Sequence, residues 1–172
     1  MQLQYRFSEG GATVEEHSRI LDRFFTDLSG ALPKREEASL ALEDLSLREV
    51  QLIDTVCRTV EQGGDNRSSA IAAAQQVTAG TLTSAVDVLV EKGYLTRHRD
   101  SRDRRVVRLL PTSRGRAASQ RRRAFYRRIT AHLTDVLYEQ EFSALMRSME
   151  TLTELFRGDA LAPSDLTPEQ SM

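Results

Sequence analysis

Thr78, Thr81, Thr83 and Ser84 place four hydroxyl side chains within seven residues of the chain. Such short side chains let a helix approach another surface closely, and they can bond base edges or phosphates. Further on, Arg99 leads into the run DSRDRR, Asp100 to Arg105, so that two carboxylates stand among four guanidiniums. Arginine is always charged and presents a planar fork of donors, which suits the strong negative potential of a narrow minor groove. Arg102, Arg104 and Arg105 are the candidates for that contact. The spacing also implies a brace in which Asp103 pins Arg105 while Arg104 points outward. Ordinary helix capping for the hydroxyls, and a merely solvated turn for the arginines, are the competing readings.

The wider charge distribution favours a polyanion. Between Arg97 and Arg128 there are thirteen arginines against Asp100 and Asp103, a local charge of +11. The remainder holds 11 basic and 23 acidic residues, or -12, and the two sum to the net -1. Like charges gathered at this density repel one another and need a reason to be together. A solvated helix face is the bland alternative.

The elements that must carry these residues follow from apolar periodicity. Ile20, Leu21, Phe24, Phe25 and Leu28 predict an amphipathic helix from Val14, broken at Leu32-Pro33. Ser46 and Glu49 match a capping box for a second helix that stops at Gly63-Gly64. Ser69 to Gln75 reads as a short third helix. Thr78 caps a fourth, closed by Gly93, with Leu82, Val86, Leu89 and Val90 on one side and Gly80, Ser84, Asp87 and Glu91 on the other. Tyr94 to Arg99 and Val106 to Leu110 form a hairpin around the charged turn, and Pro111 ends its second strand. A long helix follows from Arg116 to about Glu139. In the last helix, Phe142, Leu145, Met149, Leu152 and Phe156 are spaced 3, 4, 3 and 4, a heptad seam suited to a second helix.

Several function classes are disfavoured. The 172 residues suit one domain with a real core. There is no phosphate-binding loop, nucleophile elbow, HExxH or dinucleotide fingerprint, so no catalytic residue is assigned and no enzyme is expected. His17, His98 and His132 lie far apart, and neither a metal nor another cofactor is implied. No apolar run approaches a membrane span, and the start of the chain lacks the apolar segment of a signal peptide. The cytoplasm is the simplest compartment. Cys57 alone excludes an internal disulfide and reads as a small core hydrophobe, with a thiol redox sensor as the alternative.

A short helix, a tight turn, a capped helix and a hairpin form the order of a winged helix-turn-helix. The runs LSLREVQLIDTV and VTAGTLTSAVDVLVEKGYLTRHRDSRDRRVVRLLPTSRG resemble the MarR family of winged-helix regulators. The likeness rests on the helix ending in LxxKGYL, the wing pattern DxRDxR and the TxxG opening the fifth helix, and it covers Val14 to Phe156. It implies a homodimer with interleaved first, fifth and sixth helices on a palindromic operator in double-stranded DNA. It places Arg104 in the minor groove, Asp103 and Arg105 as its brace, and Thr81 and Ser84 facing the major groove.

The expected class is therefore mainly α (α+β). Residues 46–115 would form the DNA-binding region, 13–45 and 116–157 a helical dimerisation region, 1–12 an arm and 158–172 a disordered tail. Two positions depart from the family pattern. Pro111 and Gln75 stand where leucine is common, which questions the end of the wing and the packing under the fourth helix. VTAGTLTSAVDVLVEKGY and DRRVV are most similar to the subgroup that represses fatty-acid synthesis genes. That likeness implies an acyl chain or acyl carrier protein as effector. Phe24, Phe25, Phe125 and Tyr126 would line the apolar slot, unless they are plain core. A regulator responding to a small aromatic ligand or to Cys57 oxidation, and a winged-helix interaction protein that reads no sequence, are the alternatives.

Overall fold

The computed structural model describes residues 13–40, 44–100 and 103–157. Among them the order is α1 (Val14–Leu40), α2 (Leu47–Glu61), α3 (Ser68–Ala74), α4 (Ala79–Glu91), β1 (Leu95–Arg99), β2 (Val107–Pro111), α5 (Ser113–Val136) and α6 (Glu139–Arg157). The strands form one antiparallel two-stranded sheet, so the fold is mainly helical with a hairpin, as the sequence leads one to expect. The expected N-terminal arm, C-terminal tail and Arg102 lie outside the described residues. None of the described helices is long and apolar enough to cross a membrane. The chain divides into two compact units, one ending at Phe125 and the other beginning at Tyr126.

The core of the first unit gathers the periodic apolar residues of α2, α3 and α4. Val50, Ile53, Val56, Ile71, Val86 and Leu89 are all essentially removed from solvent, and Leu95 and Leu109 of the hairpin join them. Each side chain buried this fully contributes about 1.5–3 kcal/mol by leaving water. The capping box forms as its spacing implies. Glu49 Oε2 accepts the Ser46 N–H at 2.6 Å, and Ser46 Oγ accepts the Glu49 N–H at 3.3 Å. Val90, expected on the buried side of α4, is 36% exposed, because the helix packs only its 82-86-89 stripe inward.

The largest departure is α1. It does not stop at Leu32-Pro33 but runs through Pro33 to Leu40. A proline inside a helix costs about 3 kcal/mol through its missing N–H and its clash with the preceding turn. Tertiary contacts beyond it offset that cost. Glu36 and Leu40 are both 2% exposed, and Glu36 Oε1 pairs with Arg122 Nε of α5 at 2.8 Å. The other helix limits move by a few residues, α3 to Ser68–Ala74 and α5 to Ser113–Val136.

Pro111 lies within β2, opposite Leu95, and leaves the wing's register intact. Thr112 N–H donates to Tyr94 O at 3.1 Å, which makes Leu95–Pro111 a pair without direct hydrogen bonds, so the proline nitrogen points away from β1. On that same outer edge, Leu109 N–H donates to Asn66 O at 2.9 Å and Asn66 Nδ2 to Leu109 O at 3.0 Å. The segment before α3 is thereby stitched to the wing.

In the second unit, Tyr138 N–H donates to Glu141 Oε2 at 2.9 Å at the start of α6. Of the heptad seam, Phe142, Leu145 and Leu152 are half-buried, while Met149 and Phe156 are 42% and 62% exposed.

Candidate nucleic-acid interface

The fourth helix starts where Thr78 caps it. Thr78 Oγ1 accepts the Thr81 N–H at 3.2 Å and lies 2.9 Å from Thr81 Oγ1. Thr83 Oγ1 donates to Ala79 O at 2.8 Å and Ser84 Oγ to Gly80 O at 3.3 Å. All four hydroxyl residues are exposed, and the last two keep lone pairs free to accept from outside. The tight turn before the helix bends at Gln76, with φ 53°. Gln75 does not disturb the packing beneath. It is half-buried at the end of α3 and donates through Nε2 to Thr55 Oγ1 on α2.

The other end of α4 is held by a clamp assembled from distant parts of the chain. Gly93 takes φ 75°, turning the chain so that Tyr94 N–H reaches Leu89 O at 2.8 Å. Lys92 Nζ donates to Glu49 Oε1 at 2.7 Å and to Asp44 O at 2.6 Å. Tyr94 donates through its hydroxyl to Asp44 Oδ1 at 2.7 Å, and Arg114 both pairs with Asp44 Oδ2 at 2.9 Å and covers the Tyr94 ring at 4.2 Å. The Tyr94 hydroxyl, with Arg114 and Lys92 beside it, holds the Asp44 carboxyl below its ordinary value. Thr112 caps α5 by accepting the Gly115 N–H at 3.1 Å. Gly115 has a steric reason to be glycine, since a Cβ there would run into the Tyr94 carbonyl oxygen. The KGYL and TxxG motifs thus meet at one joint.

Arg108 of β2 ties the turn end of β1 to the segment before α3. Arg108 Nε donates to Asp100 Oδ2 at 2.7 Å and its Nη1 to Asn66 Oδ1 at 2.9 Å. Asp103 does hold Arg105, but through the backbone, with Oδ1 accepting the Arg105 N–H at 2.9 Å. The guanidinium groups of Arg104 and Arg105 take no partner among the described residues and remain available.

A cleft of about 410 Å³ separates α4 from the wing, and Thr83 and Arg105 both line it, with Arg97 between them. Thr81 instead borders a cavity of about 390 Å³ on the opposite flank of α4, beside Arg48, Gln51 and Gln75. The hydroxyl group is therefore split across the two flanks of α4, and only Thr83 joins a wing arginine in one cleft.

Sequence reasoning missed a buried ionic centre behind the helices. Asp54 of α2 is 2% exposed, yet it accepts from Ser119 Oγ at 2.7 Å, Arg122 Nη1 at 3.2 Å and Arg123 Nε at 3.1 Å. Arg123 Nη1 also pairs with Glu61 Oε2 at 2.6 Å. The cationic fifth of the chain is thus partly neutralised, since Arg97, Arg114, Arg122 and Arg123 have carboxylate partners outside it and Arg108 has Asp100 within it. The i,i+4 pair of Arg58 with Asp54 was the one local signal of that centre. Cys57 beside it is 1% exposed, and burial pushes its thiol up, outweighing the lowering influence of the neighbouring Ser119 hydroxyl. A reactive sensor needs an accessible thiolate, and here the thiol is buried and its ionisation disfavoured.

Among the described residues no group of three or more His, Cys, Asp or Glu could hold a metal ion. Of the proposed apolar slot, Phe24 and Phe25 are 44% and 41% exposed and stack edge-to-face at 5.4 Å. Phe125 is buried in the first unit, and Tyr126 is half-buried in the second.

The MarR family model matches residues 56–107, from within α2 through α3 and α4 to the start of β2. The matched region folds as a winged helix. The winged helix is also found in solved structures that match most of the chain. Streptococcus pneumoniae FabT in complex with DNA is similar with a TM-score of 0.71 and 25% identity, over 82% of this chain and 97% of that one. A MarR family protein from Bacillus stearothermophilus is similar with a TM-score of 0.67 and 18% identity, over 86% of this chain and 100% of that one. In sequence, the chain is 33% identical over 66 residues to the uncharacterized HTH-type transcriptional regulator YpoP of Bacillus subtilis. That match takes in 38% of this chain and 47% of the relative, so it spans about half the relative's length.

Proposed function

We propose that this protein is a cytoplasmic, DNA-binding transcriptional repressor that acts as a homodimer on a palindromic operator. In each subunit α4 lies in the major groove and the wing in the adjoining minor groove. The observation that carries this reading is the shared cleft of Thr83 and Arg105, which puts a hydroxyl of α4 and a guanidinium that takes no partner among the described residues on one side of the winged helix. Thr83 and Ser84, with their protons turned to helix carbonyls, would accept from the amino groups of adenine or cytosine. Thr78, Thr81, Arg102 and Arg104 complete the contact set, and Asp103 and Arg105 shape the wing.

Arg104→Ala is expected to weaken operator binding by about 1–3 kcal/mol, the range for one good groove contact. Fluorescence anisotropy at fixed salt checks it, and a change below a few tenths of a kcal/mol would remove Arg104 from the reading surface.

The effector in this reading is an acyl chain, free or on acyl carrier protein, and the targets include fatty-acid synthesis genes. Its support is the 25% identity with FabT and the exposed Phe24–Phe25 pair. Footprinting upstream of its own gene and of lipid-synthesis genes, with and without long-chain acyl carrier protein, tests it. Protection that ignores the loaded carrier would remove the effector and leave the DNA-binding reading standing.

A further inference from the structure

We infer that the cleft between α4 and the wing carries one sugar–phosphate strand, and that Asp65 and Asp87 hold its arginines beforehand in place of phosphates. This rests on the proposed DNA-binding reading and adds a site and a control to it. A major groove and the minor groove next to it are divided by a single backbone strand. A helix seated in one and a wing in the other must therefore pass that strand between them. The space between these two elements is the cleft, about 410 Å³ in volume.

Its walls suit a phosphodiester. Arg67, Arg97 and Arg105 border it together with the hydroxyl residues Ser68, Ser69 and Thr83. Leu82, Val86, Val106 and Val107 supply an apolar floor, against which sugars can lie and charges are less screened. Arg105 brings a guanidinium with no partner among the described residues.

The other two arginines are already engaged, each by a carboxylate. Arg67 Nε donates to Asp65 Oδ1 at 2.9 Å and Oδ2 at 2.7 Å, and its Nη2 lies 2.5 Å from Oδ2. Arg97 pairs through Nη1 with Asp87 Oδ1, and through Nη2 it donates to Thr83 O of the fourth helix at 3.1 Å. The Arg67 hydrogen bonds hold the Asp65 carboxyl down at about 2, so it stays charged and competes at any ordinary pH. A carboxylate and a phosphodiester offer the guanidinium fork the same two-oxygen acceptor, so one can replace the other. Replacement is easy here because the pairs are solvated, with side-chain exposures of 50% and 39% for Arg67–Asp65 and 32% and 59% for Arg97–Asp87.

The aspartates thereby set a threshold. Indiscriminate binding to any backbone must first displace them, whereas a site that also engages α4 and the wing tip has further contacts to offset that loss. Removing either carboxylate lowers the threshold for every sequence alike.

The test measures binding of the full chain to a random-sequence duplex and to its operator across a salt series. Asp87→Asn and Asp65→Asn are expected to bind the random duplex about 3–10-fold tighter than wild type, with a similar gain on the operator. Arg97→Ala and Arg67→Ala should each flatten the log-log salt slope by about 0.9, the value for one phosphate contact. A methylphosphonate at the bridging phosphate should weaken wild type and add nothing to the arginine variants. That readout holds even if an arginine variant loses some stability. Asparagine variants that stay folded by circular dichroism yet bind no tighter, or a methylphosphonate effect undiminished by the arginine changes, would overturn the inference while DNA binding stands. Wild type that binds no duplex in a salt-dependent way would overturn both.

Discussion

The winged helix and the long outer helices carry the same kind of apolar periodicity and treat it in opposite ways. In the winged helix, Val50, Ile53, Val56, Leu89 and Leu109 are each 0% exposed. Along α1, Ile20, Leu21, Phe24, Phe25 and Leu28 stand 39–49% exposed, and on α6 Phe156 reaches 62%. A hydrophobic stripe announces that a face will be covered, and it does not say by what. In the winged helix the cover is supplied by the same chain. On α1 and α6 it is the task the proposed second subunit would perform.

The strongest way to break this comparison is to damage the self-contained region from within. Asp54→Ala should lower the unfolding free energy by about 3–5 kcal/mol, since it breaks the buried carboxylate's pairs with half-buried Arg122 and Arg123. Urea unfolding checks it, and a loss under about 1 kcal/mol would mean that the centre is not structural. Gly115→Ala follows, with about 1–3 kcal/mol expected from the forced separation of α5 and Tyr94. Here too urea denaturation is the readout, and a neutral result would show that the joint yields.

Changes to the outer helices should act on association instead. Leu145→Ala with Leu152→Ala is expected to give monomers in sedimentation velocity while the helical circular dichroism persists. A dimer that survives both changes would place the interface elsewhere.

The smallest effect is on acid stability. The Asp44 carboxyl is held below its ordinary value of 3.8 in the folded chain, by Tyr94 first and then by Arg114. Its contribution is present above that value and is lost as pH falls through the lowered one. Asp44→Asn should therefore flatten the decline of Tm below about pH 4 and leave its pH dependence near neutrality unchanged. An unaltered acid limb would show that Asp44 does not drive it.

Features made by neighbours in the chain were legible in the sequence. The Ser46–Glu49 box, the Thr78 cap, the Gly93 exit and the charged turn each depend on residues two to five apart. Their hydrogen bonds are decided before any tertiary contact forms. What the sequence could not yield was the outcome of competitions between distant parts. Pro33 argues locally for a break, and only the burial of Glu36 and Leu40 carries α1 past it. Val90 fits the helical stripe, yet the packing leaves it outside.

The same division holds for the candidate site. The sequence by itself determined that about a fifth of the chain is strongly cationic and that a hydroxyl-bearing helix precedes the charged turn. Tertiary structure decided which arginines remain available, because Arg97, Arg108 and Arg114 meet carboxylates that stand 10, 8 and 70 positions away. Electrostatic pairing depends on distance in space, falling off over a few ångströms once water intervenes. Chain separation carries almost no trace of that distance, so the free charge of the wing became visible only after the chain had folded.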